Sequence, residues 1–206
     1  TGVTSEDIQC AREFGYRIKL LAISKFDGES IDVRVHPAMI PAQNPIANVN
    51  GVLNAVRVCD DLMEENILMG HGAGSLPTGS AVVGDIVEIA RNIINGSPNR
   101  VPSQSFQKSE VKTIPLKSIS EIEAEYFLRF TVVDKPGVLS RISGILGDEG
   151  ISIMSVIQRE RDQDGIGVSL VIMTHNANEK SIQEALGVID KLDIVCEKTN
   201  LIRVEN

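Results

Sequence analysis

Tryptophan is absent, and aromatic residues make up 3% of the 206-residue chain. The rows of rings on which single-stranded bases stack are therefore not available. Basic residues are also scarce. Twenty Lys and Arg face 28 Asp and Glu, for a net charge of -8, which argues against a general affinity for nucleic-acid phosphates or anionic lipid. Apolar runs stay well short of the roughly 18 residues of a membrane span, so neither nucleic acid nor membrane is an expected partner. The three cysteines, Cys10, Cys59 and Cys196, lie too far apart for a disulfide framework or a CxxC knuckle, which suits a reducing, cytoplasmic setting. His36, His71 and His175 each lack a second His or Cys at ligand spacing, and no metal site is expected. Position 1 is Thr and no basic-then-apolar leader follows, so the sequence reads as a shortened chain without a secretory signal.

The chain does contain 42% apolar and 23% charged residues, the balance of a packed protein of one or two domains. Three zones differ. Residues 1–95 carry 7 basic and 12 acidic residues, 96–124 carry 4 and 3, and 125–206 carry 9 and 13. The middle zone lacks an apolar period and holds Gly96, Ser97, Pro98, Pro102, Ser103, Ser105 and Pro115, so it reads as a linker, with Val111, Ile114 and Leu116 as one possible short strand.

In the first zone, Thr4 three residues before Asp7 and Gly15 at the far end predict a capped helix. Ile18–Ile23 and Ile31–Val35 read as strands, with Lys19 facing solvent. The stretch 49–58 has no clean period and is either strand or buried irregular backbone. Asp60, Asp61, Glu64 and Glu65 suggest a solvated helix face. A glycine cluster, Gly70-His71-Gly72-Ala73-Gly74, then leads into a helix from about Thr78 to Ile94 with Ala81, Val82, Ile86 and Ile89 on one side.

The last zone reads βαββαβ. Its strands are Phe127–Val133, Ile151–Ile157, Val168–Met173 and Ile194–Val204, with helical stripes at Val138, Ile142, Ile145, Leu146 and at Ile182, Ala185, Leu186, Ile189. Asp164-Gly165 predicts the hairpin turn. The expected class is α+β: a mixed sheet with helices, then a ferredoxin-like unit whose helix-free face seeks a cover.

Two segments invite ligands. Around Gly70, Gly72 and Gly74 the backbone can approach a ligand closely, and the helix beginning near Thr78 aims its positive end there. No phosphate-loop Lys or dinucleotide glycine spacing is present, and an ordinary strand-to-helix turn explains the cluster equally well. The second segment is Asp134-Lys135-Pro136-Gly137-Val138-Leu139, where exposed N–H groups at a helix start suit a small carboxylate.

Those residues, with Gly150-Ile151-Ser152-Ile153, make 125–206 resemble an ACT domain, a small regulatory fold that senses amino acids. Residues 1–95 resemble the C-terminal part of the catalytic region of homoserine dehydrogenase. The matching stretches are Ala11-Arg12-Glu13-Phe14-Gly15-Tyr16-Arg17-Ile18-Lys19-Leu20-Leu21-Ala22, Val35-His36-Pro37, Asn48–Val56, and the glycine cluster followed by Pro77–Asp85. His71 departs from the family's usual Gly-Pro-Gly-Ala-Gly. The resemblance implies reduction of L-aspartate 4-semialdehyde to L-homoserine with NADP or NAD as cofactor. Catalytic residues and most nucleotide contacts would lie in a preceding nucleotide-binding domain, with the 78–94 helix packed on it. Gly70, Gly72, Gly74 and Thr78 would lie at the cofactor. Threonine would bind near Asp134, Pro136, Gly137, Val138, Leu139 and Ile151, and a homodimer or homotetramer is implied. A non-enzymatic amino-acid sensor is the rival, and it predicts a first zone with its own complete core.

Overall fold

The computed structural model describes residues 2–62, 64–98, 100, 106–159 and 167–206. The chain forms two compact units: one gathers the chain up to Ala47 with Ile114–Asn206, and the other is Asn48–Thr113. That division falls elsewhere than the boundaries at 95 and 124 expected from composition.

In the first unit, helix α1 (Ser5–Glu13) begins as its sequence predicts. Thr4 Oγ1 accepts from the Asp7 N–H and the Asp7 carboxylate accepts from the Thr4 N–H at 2.7 Å, a complete capping box, while Gly15 after the helix takes φ +81°. Strands β1 (Tyr16–Phe26) and β2 (Ile31–Pro41) pair antiparallel along their whole length. They are longer than the apolar runs suggest, so His36 lies inside a strand rather than at its end.

The βαββαβ order is present as β5 (Glu123–Val132), α3 (Val138–Asp148), β6 (Ile153–Gln158), β7 (Val168–Thr174), α4 (Glu179–Ile189) and β9 (Val195–Val204), with a two-residue β8 (Ala177–Asn178) beside β5. β2 joins β9 in parallel, giving one mixed sheet in the order β1-β2-β9-β5-β7-β6. The expected turn at Asp164-Gly165 lies outside the described residues, as do Pro102, Ser103 and Ser105.

Alternation along β5 sends its side chains to two cores. Ala124, Tyr126, Leu128, Phe130 and Val132 face the helices, where they pack with Ile142, Leu146, Ile182 and Ile189. Phe127 faces the other way, joining Cys10, Ala11, Met39, Val171, Met173, Ile202 and Val204. Helix α1 thus packs Cys10 and Ala11 onto part of the helix-free face, beside Met39 of the in-sheet neighbour β2, while Ile157 of β6 on the same face stays 40% exposed. Arg129 also points to that side and ties α1 down: its Nε donates to Asp7 Oδ1 at 2.6 Å, and Asn200 Nδ2 donates to Asp7 Oδ2 at 2.8 Å. Asp7 and Arg129 are both buried, and pairing with hydrogen bonds on each oxygen is what permits charge there.

In the second unit, β3 (Leu53–Asp60) and β4 (Glu64–His71) form an antiparallel hairpin, and α2 spans Ser75–Ile94. The stretch 49–58 therefore ends in strand. The acidic run is not on a helix: Asp60 and Glu64 are cross-strand partners flanking the hairpin turn. A helix and a hairpin tip both expose such charges, and composition does not distinguish them. Of the apolar residues in the middle zone, Leu116 alone of the three named above makes a bridge, to Ile31. Lys19 is half-buried rather than solvent-facing.

Candidate functional site

The glycine cluster sits where β4 ends and α2 begins, and its three glycines have different surroundings. At Gly70 a Cβ would meet open space. At Gly72 it would fall 2.0 Å from Asn54 Nδ2, so any side chain here requires the Asn54 side chain on β3 to move. Gly74 is the N-cap of α2 with φ +122° and ψ 138°, a conformation costly for any side chain. Helix α2 starts three residues earlier than expected, at Ser75, which places Thr78 inside the first turn with its N–H bonded to Gly74 O at 3.1 Å.

No side chain caps α2, and the loop and the helix's first turn are exposed. Free N–H groups at a helix start carry partial positive charge, and the glycines leave the main chain bare, so the segment fits an anionic or dinucleotide ligand. His71 is exposed at the end of β4. Helix α2 buries none of its residues: Val82, Ile86 and Ile89 are each more than half exposed.

The second segment connects β5 to α3. Asp134, Lys135, Pro136 and Gly137 are exposed, and Gly137 caps α3 with φ +91°, again without a side-chain cap. Lys135 N–H bonds back to Val133 O at 3.0 Å, tightening the turn below the helix start. Val138 is buried and anchors the first turn to the core, while Leu139 remains 40% exposed beside the loop. Ile151 differs from the others. It is 4% exposed and its N–H is taken by Leu146 O at 2.9 Å, so it supports the segment from within the core.

A buried polar cluster that sequence reasoning missed lies on the helix side of the sheet. Glu179, at the start of α4, accepts from Tyr126 Oη at 2.9 Å, from Arg203 Nε at 2.7 Å and Nη2 at 2.6 Å, and from Gln183 Nε2 at 2.8 Å. Burial alone would raise its pKa, but the Arg203 and Gln183 hydrogen bonds outweigh that and hold it below the usual carboxylate value. Burial and the neighbouring Glu179 charge push the Tyr126 phenol upward. Their sequence separations, 53 residues for Tyr126–Glu179 and 24 for Glu179–Arg203, leave no local signal to find them by.

Residues 1–87 match the homoserine dehydrogenase family model, and residues 126–193 match the ACT domain model. Homoserine dehydrogenase from Neisseria gonorrhoeae is 43% identical over 98% of this chain and 46% of its own length, and that of Pseudomonas aeruginosa is 39% identical over 98% and 47%. The crystal structure of a homoserine dehydrogenase from Thiobacillus denitrificans superposes with a TM-score of 0.86 at 39% identity, covering 99% of this chain and 46% of that one.

The chain carries a homoserine dehydrogenase family domain followed by an ACT domain.

It spans about half the length of the curated relatives it matches and corresponds to their C-terminal part, which includes the ACT domain. The α+β class expected from sequence is therefore correct, and so is the pairing of the two families. No helix among the described residues is long and apolar enough to cross a membrane.

Proposed function

We propose that this chain is the cofactor-facing and regulatory portion of an enzyme that reduces L-aspartate 4-semialdehyde to L-homoserine with NADPH or NADH, in the route to threonine and methionine. In this reading residues 1–95 complete the catalytic region, 96–124 link the parts, and 125–206 form the regulatory domain. The observation that carries it is the start of α2. Gly74 holds a backbone conformation suited to glycine, no side chain caps the helix, and bare main chain lines the approach. That is the form expected where backbone meets a dinucleotide, with Gly70, Gly72 and Thr78 shaping the same turn. When bound, the nicotinamide supplies the hydride; this chain's own residues position it and exclude water.

The regulatory ligand is an amino acid, with threonine the leading choice as an end product. Its carboxylate would meet the N–H groups around Gly137, with Asp134, Pro136, Val138 and Leu139 around it and Ile151 behind. The exposed start of α3 and the apolar neighbour Leu139 support this position. Two copies of the regulatory sheet would place that ligand near a subunit boundary in a cytoplasmic homodimer or homotetramer.

The test is NADPH oxidation with aspartate semialdehyde, comparing this 206-residue chain with an enzyme of the relatives' full length. The full-length enzyme is expected to turn over and the chain alone to be inactive. Turnover by the chain near the full-length rate would place the reacting groups here and overturn this division of labour. An inactive full-length enzyme that still binds threonine would favour a sensor without catalysis.

A further inference from the structure

The N-terminal hairpin is joined to the regulatory sheet by a narrow backbone seam. β2 and β9 meet through two residue pairs, Ala38 with Arg203 and Met39 with Val204. Side chains on the helix side extend the join. Asp32, Arg34 and His36 share one face of β2, since alternate residues of a strand point the same way. Arg34 is 7% exposed, with Nη2 2.6 Å from Glu205 Oε1 just past β9, and its Nε lies 3.4 Å from Asp32 Oδ2. Lys25 of β1 donates to Glu205 Oε2 at 2.8 Å. Arg203 of β9 is held in turn by Glu179 of α4, which Tyr126 of β5 also contacts.

His36 sits half-buried among these charges. Its Nδ1 lies 3.0 Å from Pro37 O, and a carbonyl oxygen only accepts, so Nδ1 carries the proton of the neutral ring. Nε2 is buried and has no hydrogen-bond partner, and neither have Nε and Nη1 of Arg34 or Oε1 of Glu205. We propose that His36 is an acid-sensitive latch: the neutral ring lets the β1–β2 hairpin seat against β9, and the protonated ring loosens that seam.

The physical case is electrostatic. A proton on Nε2 would add positive charge in a buried place where Arg34 and Arg203 are already cationic. The charge of the acidic neighbour Glu205 is already balanced by ion pairs with Arg34 and Lys25, and that of Glu179 by Arg203. Burial depresses the His36 pKa most. The Pro37 carbonyl opposes this, Arg203 and Arg34 depress the value further, and Glu205 offsets part of their effect. A histidine with a folded pKa below its unfolded value contributes stability that is complete at high pH. It is lost as pH falls below about 6.5, where the unfolded chain takes up the proton first.

The experiment is hydrogen exchange on the full 206-residue chain between pH 7.5 and 5, corrected for the intrinsic pH dependence of exchange. Opening of the 31–41 amides is expected to increase at least about threefold at the acid end relative to β7, and His36→Gln or His36→Phe should abolish the increase. An equal acid response in either folded variant, or no response in the unaltered chain, overturns the latch. If neither variant folds, an NMR titration of His36 in the unaltered chain decides. A pKa below about 6.5 supports the proposal and one at or above it refutes it.

Discussion

Helices α2 and α3 begin alike and are supported differently. Each starts from a glycine with positive φ and no side-chain cap, and each carries an apolar stripe. Helix α3 buries Val138, Ile142 and Leu146 in the core on the sheet's helix side, whereas α2 buries nothing. The local code for a helix start is therefore independent of the packing that stabilises it. The contrast extends to the strands. β5 and β7 sit between two cores, while Val56, Leu68 and Met69 of the β3–β4 hairpin are mostly exposed. In water an isolated hairpin and a helix without a buried face are both marginal, so the second unit depends on a cover that the first does not need.

The sharpest break in this contrast should come from Asp7, the buried partner of Arg129. Asp7→Ala removes the capping box and the buried carboxylate at Arg129 Nε, leaving that guanidinium with Glu6 at 3.0 Å as its remaining carboxylate, with an expected loss of about 2–4 kcal/mol in urea unfolding of the first unit. A loss near zero would mean α1 is not anchored by that pair. Next, Ile142→Ala in α3 is expected to cost about 2–5 kcal/mol, whereas Ile86→Ala in α2 should change the stability of this chain by no more than about 0.5 kcal/mol. Comparable losses at both sites would erase the distinction. Gly137→Ala and Gly74→Ala should each cost about 1–2 kcal/mol of local helix stability, read by hydrogen exchange of the following turn, because both hold positive φ.

A smaller effect concerns acid. Because the folded pKa of Glu179 is depressed, its contribution is complete above the unfolded value of about 4.3 and is lost as pH falls through the folded one. Glu179→Gln should therefore flatten the stability curve of the first unit below about pH 4.3 while leaving its slope near neutrality unchanged. Thermal unfolding across pH 3–7 measures this.

Elements specified by neighbouring residues were legible in the sequence. Thr4 and Asp7 are three apart and form the predicted box, and the stripes of α3 and α4 recur at the helical period, so the βαββαβ order followed. Pairing between distant segments was not. Nothing near Val33 or Val35 signals that β2 continues the sheet at β9, and nothing near Asp7 signals Arg129, 122 residues away. The glycine loop was legible as a turn, but the clash that Asn54 imposes on Gly72 comes from the pairing of β3 with β4. Ile151, named at the ligand segment through the family resemblance, has its side chain in the core, a placement that no local feature of the sequence signals.

The central claim is that the bare backbone at the start of α2 meets the dinucleotide. Gly74→Val, placed in an enzyme of the relatives' full length and assayed by NADPH oxidation with aspartate semialdehyde, tests it most directly. A Cβ there would lie 3.2 Å from Pro77 Cδ and disfavour φ +122°, altering the surface offered to the cofactor. The account predicts a KM for cofactor raised at least about tenfold, or an equivalent loss of kcat, in a variant that still folds and still binds threonine. Unchanged kinetics in such a variant would contradict it and leave the loop a strand-to-helix turn alone.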